Sequence, residues 1–142
     1  FDHAIHANKT LAEQKSITLE TNYAENLPKV QADSDKTVWV LTNLISNAIR
    51  YSHEHSSIQL SLSEENNRVL FSVSDTGRGI PPQYKDKVFD RYFRVPGTNK
   101  EGTGLGLAIS KEFIEAQSGT ITVATELGEG STFTVLLNSW EQ

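Results

Sequence analysis

Residues 38–52 read Val-Trp-Val-Leu-Thr-Asn-Leu-Ile-Ser-Asn-Ala-Ile-Arg-Tyr-Ser, and no other stretch limits the possible folds so tightly. At about 100° per residue, Val38, Leu41, Ile45, Ala48 and Ile49 share one side of a helix and form a stripe suited to a core. Spacings of three and four bring the tips of Asn43, Asn47, Arg50 and Tyr51 together on the opposite side. Asparagine is a poor helix former, worse than alanine by about half a kcal/mol or more per position. Two of them one turn apart, beside an arginine and a tyrosine, fit either a solvated face or a polar wall for a metal ion and a charged ligand. The rest of the chain has to separate these readings.

Bulk properties narrow the field. A chain of 142 residues fits one domain with a sizeable core. Its net charge of -5 argues against wholesale binding to nucleic acid or to an anionic membrane. It contains no apolar run of about 18 residues and no signal-peptide pattern, so no direct membrane contact is expected. Cysteine is absent, which excludes disulfides and thiolate metal sites. With Phe1 first and no methionine, the chain is expected to be a piece of something longer. Charge is uneven: Arg78, Lys85, Lys87, Arg91, Arg94 and Lys100 face only Asp86 and Asp90 between positions 78 and 100. One basic segment in an acidic chain points to a local anion site, with phosphate as the chemistry.

Phe1 to about Lys15 has a loose helical pattern. Ser16–Ala24 alternates as a strand, and Val30-Gln31-Ala32 is a candidate second one. Asp33, Ser34 and Asp35 are candidate N-caps for the central helix. Ile58, Leu60 and Leu62 alternate with polar residues, as do Val69, Phe71 and Val73; Glu64–Asn67 turns between them, which predicts a hairpin with one buried face. Tyr84 to about Phe93 predicts a short helix, and Val95–Thr103 a loop without periodicity. Gly104–Gln117 predicts a helix with Leu107, Ile109, Phe113 and Ile114 inward, stopped by Ser118-Gly119. Ile121 and Val123, then Phe133, Val135 and Leu137, predict a last hairpin. With no repeating strand–helix–strand unit, the order argues for an α+β two-layer sandwich, a mixed sheet covered on one face by helices.

Two glycine loops carry chemistry. Asp75-x-Gly77-x-Gly79 follows a buried strand; glycines permit positive φ and close approach of a flat ligand, and the aspartate could accept from an exocyclic amine. Gly102-Thr103-Gly104-Leu105-Gly106-Leu107 opens a helix, where backbone N–H groups favour phosphate. It is neither a dinucleotide fingerprint nor a Walker loop, since the glycine spacing and the Lys-Ser/Thr pair are wrong.

In this fixed order the motifs resemble the ATP-binding catalytic domain of bacterial sensor histidine kinases, within the gyrase–chaperone–kinase–MutL (GHKL) ATPase superfamily and its Bergerat-type fold. Residues 43–52 are similar to its asparagine box, Asp75–Ile80 to its first glycine box, Phe89–Val95 to its phenylalanine box, and Gly102–Leu107 to its second glycine box. Gly128–Phe133 fits its closing hairpin. The resemblance covers nearly everything from Ser16 to Asn138. It implies a domain over 16–142 and, over 1–15, the tail of an upstream dimerisation helix or linker.

The resemblance also implies roles. Asn47, with Asn43 nearby, would hold the Mg²⁺ that bridges the ATP phosphates, an amide oxygen being a suitable hard ligand. Arg50 and Tyr51 would face the phosphate chain. Asp75 would accept from the adenine amino group in the Gly77–Gly79 turn, with Ile80 and Leu107 against the ring and Thr132 completing the contacts. Arg94 and Lys100 would reach the terminal phosphates as the loop through Gly102, Thr103, Gly104, Leu105 and Gly106 closes. Catalysis would fall to Asn43, Asn47 and Arg94. Hydrolysing relatives carry a glutamate where Asn43 stands, and an amide cannot take a proton, which favours transfer to histidine over hydrolysis. The phosphoacceptor is expected on a dimerisation and phosphotransfer domain outside this chain, since His3, His6, His53 and His55 lack the family's acceptor pattern. A response regulator would follow, and the setting would be cytoplasmic, with an inner-membrane sensor as a compatible parent. A regulatory ATP-binding module without phosphotransfer stands as the alternative.

Overall fold

The computed structural model describes residues 2–23, 34–66, 68–77, 79–90 and 106–138. Two short helices, α1 (Asp2–Ala7) and α2 (Lys9–Gln14), lead into strand β1 (Thr18–Tyr23). The long helix α3 spans Ser34–Tyr51. A hairpin of β2 (Ser57–Glu65) and β3 (Arg68–Asp75) follows, then a 3-10 turn over Pro82–Lys87. Helix α4 (Gly106–Glu115) and the hairpin β4 (Thr120–Glu126) and β5 (Gly130–Asn138) complete the described fold. The expected strand at 30–32 and loop at 95–103 lie outside the described residues.

The strands form one mixed sheet in the order β1-β2-β3-β5-β4. β1 runs parallel to β2, which requires a crossover, and α3 lies in it; every other pair is antiparallel. Period-two alternation divides the sheet into two faces. Ile58, Leu60, Val69, Phe71, Val73, Ile121, Val123, Phe133, Val135 and Leu137 point to one face and are buried with the helices. On the other face Ser72 meets Thr134 and Ser74 meets Thr132 through their hydroxyls. Among the described residues, an apolar face under helices and a hydroxylated face without them make the two-layer α+β sandwich that the element order implied.

Helix α3 supplies the largest share of the helical side. Val40, Leu41, Leu44, Ile45, Ala48 and Ile49 are buried along it. Burial of each Leu or Ile contributes about 1.5–3 kcal/mol. The stripe is rotated from the expected one: Val38 is only half-buried, and Val40 and Leu44 take its place in the core. Both belong to the seam of spacings three and four that runs 37, 40, 41, 44, 45, 48, 49. Helix α4 shows a similar rotation. Ala108, Ser110 and Ile114 are its buried positions, Leu107 and Phe113 pack on the core from its edge, and Ile109 is half-buried outside it.

The stretch expected to be a tail packs as part of the same core. Ala4 and Ala12 are buried in it. At the α1–α2 joint the buried Asn8 donates through Nδ2 to Ala4 O (3.0 Å) and to Thr42 O on α3 (3.1 Å). Beyond the ends of both α2 and α4 the chain turns at a serine in the left-handed region, Ser16 (φ 56°) and Ser118 (φ 63°). The residue after each serine donates to the carbonyl five positions back, Ile17 N to Ala12 O (2.9 Å) and Gly119 N to Ile114 O (3.0 Å). This is the Schellman arrangement with serine where glycine is usual. Gly119 is therefore not the turn residue its position suggested. It serves close approach, since a side chain there would collide with Leu136 O of β5.

Candidate nucleotide site

Asp75 ends β3 at the register position opposite Ser131 of β5. Counting by twos from Val73 places its side chain on the helix-covered face, and it is buried there. Its Oδ1 accepts from Gly77 N at 2.9 Å, and Ser131 supplies a second backbone donor. Desolvation outweighs these donors, so the carboxyl titrates above its ordinary value of 3.8. A buried carboxylate with a raised pKa gains from any ligand that donates to it.

The glycines of this turn make room for the protein's own backbone. A Cβ on Gly77 would collide with the carbonyl oxygen of Tyr51, the last residue of α3. Gly79 combines a φ of 71°, which L side chains rarely adopt, with an approach to Glu126 O at the β4–β5 turn that leaves no space for a side chain. Ile80 N then donates to Thr125 Oγ1 (2.8 Å), which is itself bonded to Ser131 Oγ (2.9 Å) and to Gly130 O (3.1 Å). The turn is thus clamped between the end of α3 and the end of the last hairpin.

Along α3, the residues Asn43, Asn47, Arg50 and Tyr51 are all half-buried, which suits a face that meets something other than the core. Asn43 is built into the protein. Its Nδ2 donates to Ser110 Oγ on α4 (3.4 Å), and its amide lies where a Cβ of Gly106 would have to go. Ser110 is fully buried and donates to Gly106 O at 2.8 Å. The first turn of α4 is therefore seated on Asn43. Leu107 and Ile80 both pack at the edge of the core. Phe89 meets Phe133 edge-to-face at 6.1 Å, with Lys111 Nζ 5.6 Å from the Phe89 centroid.

One expected contact changes. Thr132 lies on the outer, hydroxylated face, bonded to Ser74 Oγ at 2.8 Å, because strand alternation turns it away from Asp75. The hydroxyls on Asp75's side are Ser131 and Thr125. The sequence held the signal: counting back by twos from Phe133 reaches 131, not 132. Arg94, Lys100, Gly102, Thr103, Gly104 and Leu105 lie outside the described residues. His6, His53 and His55 are exposed, His55 in a left-handed turn. Among the described residues no group of three His, Cys, Asp or Glu could hold a metal. Among the described residues the oxygen nearest to hand for a hard cation is an amide such as that of Asn47; magnesium usually keeps several waters and takes substrate phosphates as well. An open groove of about 390 Å³ between α1, α2 and β1, lined by Ile5, His6, Lys9, Ala12, Glu13, Ile17 and Leu19, shares no residue with this set.

A buried aspartate in a glycine turn, seated on the end of an asparagine-bearing helix that also seats a second glycine-led helix, defines an ATP-binding fold. The chain belongs to the histidine kinase-, DNA gyrase B- and HSP90-like ATPase family, whose model matches residues 32–140. Within that family it is a catalytic, ATP-binding domain of the sensor histidine kinase type. It is 40% identical over 136 residues to the sensor histidine kinase ZraS of Escherichia coli, covering 96% of this chain and 29% of ZraS. It is 43% identical over 108 residues to the sensor protein SrrB of Staphylococcus aureus, covering 74% of this chain and 18% of SrrB. The chain thus spans less than a third of these relatives. The catalytic domain of histidine kinase ThkA superposes with a TM-score of 0.86 at 27% identity, over 97% of this chain and 89% of that one. Full-length ShkA, solved with AMPPNP, superposes at 0.84 and 28% identity over 97% of this chain and 29% of that one. No helix among the described residues is long and apolar enough to cross a membrane.

Proposed function

We propose that this domain binds Mg·ATP and passes the γ-phosphoryl group to a histidine on a dimerisation and phosphotransfer domain of its parent protein, which then serves a response regulator. The observation that carries this reading is the seating of both glycine motifs on one helix, Gly77 against Tyr51 and Gly106 against Asn43. That arrangement sets the Asp75 turn at the Tyr51 end of the asparagine face and the N-terminus of α4 at its Asn43 end, which supports a ligand lying along the face.

In this reading Asp75 accepts from the adenine amino group, with Ile80 and Leu107 flanking the ring. Asn47 offers its amide oxygen to Mg²⁺, which when bound neutralises phosphate charge and orients the phosphate chain. Arg50 and Tyr51 line the path of that chain. Asn43 supports the wall by holding the first turn of α4, and as an amide it withdraws the base that water activation would need. Arg94, Lys100 and residues 102–105 cover the terminal phosphates. In the transfer step an imidazole nitrogen bonds to the γ-phosphorus, the bridging P–O bond breaks, and ADP leaves with the electron pair. The domain works in the cytoplasm, where ATP is supplied, and a membrane-borne sensor suits it as parent.

Mixing the chain with a separately produced dimerisation domain and γ-labelled ATP tests the proposal. The expected product is acid-labile, base-stable phosphohistidine on the partner. ATP binding without any such product would make the domain a binding module instead.

A further inference from the structure

Lys15 follows α2 at its C-cap, and the left-handed Ser16 after it turns the chain into β1. The ammonium of Lys15 reaches across to α3. It donates to three carbonyls at the end of α3: Ile49 O (3.0 Å), Arg50 O (3.0 Å) and Ser52 O (2.8 Å). An ammonium has three donors, and all three are spent here. The backbone joins in, since His55 N donates to Lys15 O at 3.3 Å. The last carbonyls of a helix have no partner within it and carry the negative end of its dipole, so a cation seated among them fixes the final turn.

That turn carries Arg50 and Tyr51, and the one carbonyl of positions 49–52 that Lys15 leaves alone, Tyr51 O, is where Gly77 packs. Gly77 N in turn holds Asp75 Oδ1. A continuous series of contacts therefore runs from Lys15 through the end of α3 to the Asp75 carboxylate. We infer that Lys15 is a positioning residue for the nucleotide site, one that sets the last turn of α3 and, through Tyr51 and Gly77, the orientation of the base-reading aspartate. This rests on the nucleotide reading above and extends it to a residue that touches no nucleotide. It also makes the α2–β1 junction part of the site's support.

Lys15→Met keeps the aliphatic stem and removes every donor. Its folded form, checked by circular dichroism and studied well below its melting temperature, is expected to bind Mg·ATP roughly 2- to 30-fold more weakly than the unsubstituted chain, the range that such indirect coupling produces. In the nucleotide-free protein the amide resonances of Tyr51 and Gly77 should shift. Lys15→Arg, which keeps charge and donors, should recover most of the affinity, and it decides the matter if the methionine variant does not fold. A lower melting temperature with unchanged affinity and unmoved Gly77 and Tyr51 resonances would show a purely structural lysine and overturn the inference. If Lys15→Arg folds and binds as weakly as a charge-free variant, donor geometry is not what matters and the inference also fails. Failure of the unsubstituted chain to bind Mg·ATP would instead defeat the nucleotide reading itself.

Discussion

Asp75 and its glycine turn are held almost wholly by backbone, whereas Asn47, Arg50 and Tyr51 are side chains presented on a helix surface. At the turn, Gly77 meets a carbonyl of α3, Gly79 meets a carbonyl of the last hairpin, and Ile80 N is tied to Thr125. Little there can move without breaking a hydrogen bond or creating a clash. On the helix face, position is set by the seam of Val40, Leu41, Leu44, Ile45, Ala48 and Ile49 beneath it, and the polar tips are half-buried. A flat base with one amino group suits a rigid reader. A phosphate chain with its cation suits ligands that can adjust over a turn of helix. In the proposed function the difference also divides stability from binding: residues of the turn would serve both, and those of the helix face chiefly binding.

The largest expected effect is on the helix face. Asn47→Ala should remove detectable Mg²⁺-dependent ATP binding in calorimetry, while its melting temperature stays close to that of the unsubstituted chain because the residue is half-buried and outside the core. Retained affinity would mean that the asparagine face is a solvated one after all.

Asp75→Asn should separate the two properties at the turn. Loss of the charged acceptor is expected to reduce ATP-over-GTP preference by about 10- to 150-fold, since a hydrogen bond to a charged group contributes roughly 1.5–3 kcal/mol. Without nucleotide the sign reverses. Burial raises the carboxyl's pKa above 3.8, so the stability linked to it is complete below that value and lost as pH rises through the folded-state value. The asparagine variant carries no such penalty. It should melt higher than the unsubstituted chain near neutral pH, with the gap closing as the pH falls toward the ordinary carboxylate range. A gap that is absent, or that widens on acidification, would contradict the burial argument.

The smallest effect is predicted where alternation places a side chain outside the site. Thr132→Ala should change stability by less than about 0.5–1.5 kcal/mol, the worth of one exposed-face hydroxyl bond to Ser74, and leave nucleotide affinity unchanged. Ser131→Ala, one residue away, should weaken ATP binding measurably, because its hydroxyl belongs to the Thr125 network under Ile80. Equal effects at the two positions would break the assignment of faces.

Much of this is legible in the sequence. The two hairpins, the α+β layering and the asparagine helix follow from periods of 2 and 3.6, and Asp75 inherits its inward direction from Val69, Phe71 and Val73. Fine phase was harder to read. Helical periodicity puts Val38 and Ile109 inward, but a helix core is chosen by the seam that its neighbours complete. On α4 that seam includes the polar Ser110, buried because Asn43 and Gly106 O satisfy it. The 1–15 stretch was harder still, since its buried positions are two small alanines, Ala4 and Ala12, and the polar Asn8, which is satisfied only by the carbonyls of Ala4 and of Thr42 on α3.

By itself the sequence determined which elements form and the order in which its chemical motifs arrive, because periodicity, turn residues and glycine positions act over a few neighbours. The tertiary structure decided what those glycines are for, which of two adjacent hydroxyls faces the site, and that a lysine at position 15 closes the helix ending at Tyr51. Each depends on atoms brought together from far along the chain, and local preference holds no record of that approach.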